Sequence, residues 1–242
     1  MKPRRILSAC GVVLLLLGAA VAPRAQTCSA ESGATVPTLV ELYTSEGCSS
    51  CPPADRWLST LKDAPGVIAA AFHVDYWDGL GWKDRFADPL FSQRQARLQA
   101  ADGVRSAYTP QVRVNGIDWR RWPRLPAAAA APSAVRLALQ RDGDRIRIDA
   151  QRIAGADAPL SLWWAALEDG HVSDVRSGEN GGVRLHHDRV VRLYGSSAAW
   201  RGALRQEIAV PPRGEGGRPL RVIAVVNDAE GVVVQAVQLR CD

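Results

Sequence analysis

Leu39-Val-Glu-Leu-Tyr-Thr-Ser-Glu-Gly-Cys48-Ser-Ser-Cys51-Pro-Pro-Ala-Asp-Arg-Trp57 is the stretch from which the rest of the chain can be read. It begins as an apolar strand over residues 37–43, turns through Thr44, Ser45 and Gly47, and then presents a pair of cysteines. Pro52 and Pro53 suit the first turn of a helix, where a missing N–H costs nothing. The two residues between Cys48 and Cys51 let their sulfurs meet across that turn, so a disulfide closes with little strain. Cys48 falls at the helix N-terminus, where unpaired N–H groups and the helix dipole favour a thiolate. It is the candidate nucleophile, and Cys51 the residue that resolves a mixed disulfide.

Two other readings compete with redox chemistry. Half of a zinc site has this spacing, but no second C-x-x-C or C-x-x-H follows. A purely structural disulfide between near neighbours closes almost no loop and stabilises little. With a strand before it and a helix after it, the pair points to thiol–disulfide chemistry of the thioredoxin type.

Working outward, Ala54 to Leu61 continue the helix, with Trp57, Leu58 and Leu61 spaced to face a core, and Pro65-Gly66 ends it. Residues 67–77 are a nearly continuous apolar run, as suits a strand covered on both faces. Strand, helix and strand make a right-handed crossover with parallel strands, and ligands of such sheets gather at the carboxyl ends of the strands. Cys48 and the segment from His73 to Trp82 fall there. His73 and Asp75 are candidates for proton transfer or for tuning the thiolate, with burial as the competing role. Trp77 and Trp82 are candidates for substrate binding, with the filling of a local gap as theirs.

Leu90 to Ala101 reads as a second helix, and residues 108–119 as a hairpin turning at Asn115-Gly116. Residues 123–132, with alanine at 127–131, form a linker or short helix. Beyond them the pattern is β, as in the alternating Arg145-Ile-Arg-Ile-Asp-Ala150, and short strands with regular turns predict a sandwich over 133–242. Adjacent His186 and His187 on a strand would point to opposite faces, which makes a shared metal difficult. Turn geometry and capping account for Gly178, Glu179 and Asn180.

The first 25 residues hold four bases, no acid and the apolar run Ile6 to Ala22, the pattern of a secretory signal with cleavage after Ala25. Without them, 26 bases face 25 acids, so the chain gives no ground for a nucleic-acid partner. Nor does the apolar run predict stable membrane insertion once it is cleaved. Export leads to a compartment where disulfides persist. Cys28 and Cys241 lie near the two ends of the mature chain, and chain ends often lie close together. They are expected to pair in a structural disulfide that ties the ends, with two separate thiols as the alternative.

The segments Val40 to Asp55, Phe72 to Asp78, Leu80 to Asp84 and Tyr108 to Gly116 resemble the secreted bacterial family DUF1223, of the thioredoxin-like superfamily. Gly178-Glu-Asn-Gly and His187-Asp-Arg-Val-Val-Arg192 are also similar to that family. The resemblance implies a thioredoxin-like fold, and with it a cis peptide bond at Thr109–Pro110 opposite the cysteines. An ordinary trans proline at a strand start is the alternative. The residues between the cysteines are Ser-Ser here and Gly-Pro in thioredoxin, so no redox potential carries over.

The expectation is therefore an α/β thioredoxin-like domain over 26–122 followed by an all-β, sandwich-like domain over 133–242. The expected function is an exported thiol–disulfide oxidoreductase acting on protein or small-molecule thiols and disulfides. Its site would comprise Cys48, Cys51, Thr109 and Pro110, with no cofactor and no metal ligands. One alternative is a Cu(I)-handling protein that uses the same thiolates, with His73 as a further ligand. Another is a non-catalytic binding module that grips a partner through the Trp77/Trp82 loop and the β domain.

Overall fold

A computed structural model describes residues 27–127 and 131–241. The expected export signal and alanines 128–130 lie outside the described residues. Strand β1 (Thr27–Glu31) comes first, then β2 (Thr38–Thr44), helix α1 (Pro52–Thr60) and β3 (Val67–His73). The register of β2 with β3 is parallel, from Thr38↔Val67 to Thr44↔His73. Helix α2 (Pro89–Ala101) is capped by Asp88, whose side chain accepts from Leu90 N at 2.8 Å. Strands β4 (Gln111–Val114) and β5 (Ile117–Asp118) turn at Asn115 and Gly116, whose φ values of 52° and 87° suit a tight hairpin.

The rest of the chain is β6 (Val135–Asp142), β7 (Arg145–Arg152), β8 (Ser161–Glu168), β9 (His171–Asp174), β10 (Arg184–His187), β11 (Val190–Ser196), β12 (Ala203–Ala209), β13 (Arg221–Asn227) and β14 (Val233–Leu239). Eight strands form one sheet in the order β14-β13-β8-β11-β3-β2-β4-β5. Four more form a second sheet, β1-β6-β7-β12, and β9 with β10 is a separate hairpin.

This architecture overturns the expected α/β thioredoxin-like domain followed by an all-β domain. Among the described residues the regular structure is mostly strand, with two α-helices. β11 lies parallel to β3 at Val190↔Ala71 and antiparallel to β8, so strands from both sides of residues 123–132 build one sheet. The physical reason lies in β8 and β13. In a two-sheet sandwich alternate residues face solvent. The central residues of β13, Val222 to Val226, are instead fully buried on both faces. Val222, Ala224 and Val226 are covered by the four-stranded sheet, and Ile223 and Val225 join the cluster of Phe72 and Phe91 on the β2–β3 side.

One face of the long sheet packs Leu39, Tyr43, Phe72, Ala165, Ile223 and Val225 with Phe91 of α2. The other face carries α1 at one end, where Val40, Leu42, Ala69 and Val112 meet Ala54 and Leu58. At its other end Leu162, Val222, Ala224 and Val237 meet Leu137, Leu139, Ile146 and Ile148 of the four-stranded sheet. Each large aliphatic side chain so buried contributes about 1.5–3 kcal/mol. Cys28, on the edge strand β1, is bonded to Cys241 just after β14, so a disulfide joins the two sheets. No helix among the described residues is long and apolar enough to cross a membrane.

Candidate active site

Cys48 and Cys51 form a disulfide at the start of α1, with Cα atoms 5.4 Å apart. Cys51 occupies the cap position of the helix, and its N–H donates to Cys48 O at 3.2 Å. Pro52 and Pro53 open the helix as their lack of N–H predicts, and this has a cost for the expected thiolate. They bring no amide hydrogen to the helix end, and the N–H groups of Ala54 and Asp55 both donate to Cys51 O. Cys48 Sγ lies 3.3 Å from the Ser50 hydroxyl. Stabilisation of Cys48 therefore rests on that hydroxyl and the helix dipole, with little from free amides.

Both cysteines are fully buried, while Ser49 and Ser50 are exposed. The cover comes from far along the chain. The β9–β10 hairpin reaches the N-terminal end of α1, and its tip, residues 175–183, lies over the cysteine turn. Buried Asn180 donates from Nδ2 to Glu46 O at 2.8 Å and to Cys48 O at 3.0 Å. Glu179 Oε2 accepts from Ser49 N at 3.0 Å, and this hydrogen bond lowers the Glu179 pKa. Gly178 has φ +74°, and a Cβ there would sit 3.2 Å from Trp82 Cβ, so glycine lets the tip seat against Trp82.

A buried polar cluster adjoins the cysteine turn. Asp55 follows Cys51 by four residues and so shares its face of α1; its carboxylate accepts from Thr44 Oγ1 at 2.9 Å. Burial raises the pKa of Asp55, against the pull of His187, His73 and Thr44. His73 Nδ1 lies 2.6 Å from Asp84 Oδ2, which also accepts from Glu46 N. Burial opposes charge on both partners, but their mutual attraction outweighs it, raising the pKa of His73 and lowering that of Asp84. Glu46 accepts from Trp82 Nε1 at 2.8 Å and stands 3.3 Å from His187 Nε2. Burial alone would raise the Glu46 pKa, but the His187 contact brings it below the ordinary value.

Among the residues singled out from sequence, His73 is fully buried at the end of β3 and belongs to this cluster. Asp75 does not; its side chain accepts from Ser92 of α2. Trp77 Nε1 donates to Thr109 Oγ1 at 2.8 Å, and its Cβ packs beside Gly47. It thereby connects the cysteine turn to Thr109–Pro110, whose peptide bond is cis. Tyr43↔Gln111 pairing places Pro110 at the same sheet end as Thr44. Trp82 lies between Glu46 and the hairpin tip. Sequence reasoning gave no role at the site to Thr44, Glu46, Asp55 and Asp84, and it read Glu179 and Asn180 as capping residues and His187 as an ordinary strand histidine. Asp55 alone carried a local signal, as a carboxylate on the apolar face of α1, one turn past Cys51.

Over residues 39–227 the sequence matches the family described as protein of unknown function, DUF1223. The chain belongs to that family. The matched segment holds the cysteine turn, the buried cluster and the covering hairpin, and leaves Cys28 and Cys241 outside it. Two solved structures are similar in fold. A crystal structure of a protein from Agrobacterium tumefaciens is 23% identical, with TM-score 0.63, over 86% of this chain and 96% of that one. HBP35 of Porphyromonas gingivalis is 15% identical, with TM-score 0.55, over 87% of this chain and 77% of that one. No curated protein matches the DUF1223 chain.

Proposed function

We propose that this DUF1223 protein is an exported thiol–disulfide oxidoreductase whose exchanging pair is Cys48–Cys51. The observation that carries the reading is the contrast between its two disulfides. Cys28–Cys241 spans 213 residues of sequence and restrains the unfolded chain strongly; Cys48–Cys51 spans three and restrains it hardly at all. A bond that adds so little stability, placed at a helix start beneath a removable cover, suits exchange. Both disulfides suit an oxidising compartment.

In the oxidising direction a substrate thiolate attacks Cys48 Sγ, the Cys48–Cys51 bond breaks, and Cys51 leaves as a thiolate that takes up a proton. A second substrate thiolate then attacks the substrate sulfur of the mixed disulfide and releases Cys48. The substrate has lost two electrons to the cysteine pair, and the reducing direction runs the same steps backwards. Because both sulfurs are buried, the hairpin tip must lift from Glu46 and Cys48 before either step. Trp77 and Thr109–Pro110 then form the neighbouring wall for a protein or small-molecule substrate.

Insulin reduction driven by dithiothreitol tests the proposal, run beside oxidation of a dithiol peptide by the disulfide form. Wild-type protein should accelerate one of the two, and Cys48→Ser should accelerate neither. Two flat wild-type traces would overturn it.

A further inference from the structure

We propose that Asp55, His73 and His187 form a site for one divalent first-row transition-metal ion beside the cysteine pair. One donor atom from each lies within 4.8 Å of the other two, and all three side chains are buried. The three come from α1, β3 and β10, so folding alone assembles them.

Two of the three donors are already held by a further group, as metal ligands are. Asp84 fixes His73 through Nδ1 at 2.6 Å and leaves Nε2 without a partner in a fully buried ring. Glu46 Oε1 stands 3.3 Å from His187 Nε2 without a hydrogen bond between them, and neither ring nitrogen of His187 has a hydrogen-bond partner. Thr44 holds one oxygen of Asp55. A buried ring nitrogen without a partner costs about 1–3 kcal/mol, and a cation between the two rings would satisfy both. The rings meet edge to face with centroids 5.0 Å apart.

Charge points the same way. Glu46, Asp55 and Asp84 bring three carboxylates into one buried region, and the ion pairs of Glu46 and Asp84 are with histidines. A second His/acid grouping among the described residues, Glu168, His171 and Glu215, differs on this point: Arg192 reaches both of its carboxylates and Arg85 pairs with Glu215. Cations are built into that cluster, and it needs none from outside. Two imidazoles and a carboxylate suit zinc or iron(II) more than calcium or magnesium, and three protein ligands leave an open position.

The test uses full-length protein in which both cysteines of the pair are serine, so thiolates cannot contribute. Because the site is buried, the protein is refolded from denaturant with Zn²⁺ alone, passed through a desalting column and assayed for zinc. One zinc per chain is expected, with loss of retention in Asp55→Asn and in His187→Gln. Asp84→Asn should weaken affinity by about 10–100-fold. Cobalt(II) bound to the unmutated disulfide form, which keeps the donors intact, should give visible d–d absorption without a thiolate charge-transfer band. No retained zinc, equal retention in Asp55→Asn and His187→Gln, or no cobalt spectrum in the disulfide form would overturn the site.

Discussion

Replacing Asn180 by alanine removes the buried anchor of the cover over the disulfide while leaving both cysteines in place. Asn180 Nδ2 is the donor that Glu46 O receives, at 2.8 Å, and it adds to the Cys51 N–H on Cys48 O. Glu46 O would be left unsatisfied, at about 1–3 kcal/mol, and Cys48 O would lose one of two donors, at about 0.5–1.5 kcal/mol. The central figure is roughly 3 kcal/mol. If the loss is global, a chain of this size should melt about 6–12 °C lower. If only the tip opens, the reduced protein should react with iodoacetamide about 100-fold faster, since each 1.4 kcal/mol is a factor of ten. Labelling of reduced protein, quantified by mass spectrometry beside a melting curve, separates these outcomes. An Asn180→Ala protein with unchanged melting and unchanged labelling would refute the hairpin tip as a cover.

Replacing Cys28 and Cys241 together by serine should lower stability by up to about 5 kcal/mol, from the entropy returned to a loop of more than 200 residues. Urea unfolding measures this, and exchange at Cys48–Cys51 should persist; the loss of both together would tie the terminal bond to the chemistry. Arg94 on α2 is buried 2.5 Å from Glu41 and stacked 4.6 Å from the Trp163 ring. Arg94→Met should cost about 3–5 kcal/mol by stranding the Glu41 carboxylate, and adding Glu41→Gln should recover part of it. Urea unfolding in which the double variant is no more stable than the single would contradict that cause.

The local elements were legible in the sequence, and the way they join was not. Pro52-Pro53 and Asn115-Gly116 act on their own neighbours, so the start of α1 and the β4–β5 turn followed from residue chemistry alone. The pairing of β11 with β3 depends on residues more than a hundred positions apart, and a local pattern does not register it. A clue was nevertheless present: residues 222–226 are a continuous apolar run like residues 67–72, and the rule that buries one on both faces buries the other. The site divides in the same way. Cys48, Cys51, His73 and Thr109–Pro110 could be named because they lie near the decisive stretch. Asn180 and His187 reach it only through the β9–β10 hairpin, and read alone they resemble a turn residue and an ordinary strand histidine. The helix-end argument for Cys48 was weakened by its own neighbours, since the prolines that start α1 also remove its free amides.

The reduction potential of the Cys48–Cys51 couple is the most direct test of the central claim. Native protein is equilibrated with glutathione buffers of graded ratio, trapped with an alkylating reagent, and each cysteine pair is scored by mass spectrometry. The Cys48–Cys51 pair should titrate as a two-electron couple above about −300 mV, the range of exchangeable disulfides, while Cys28–Cys241 stays oxidised in the same samples. A Cys48–Cys51 bond that resists reduction in every buffer, as its partner bond at the chain ends does, would contradict the account.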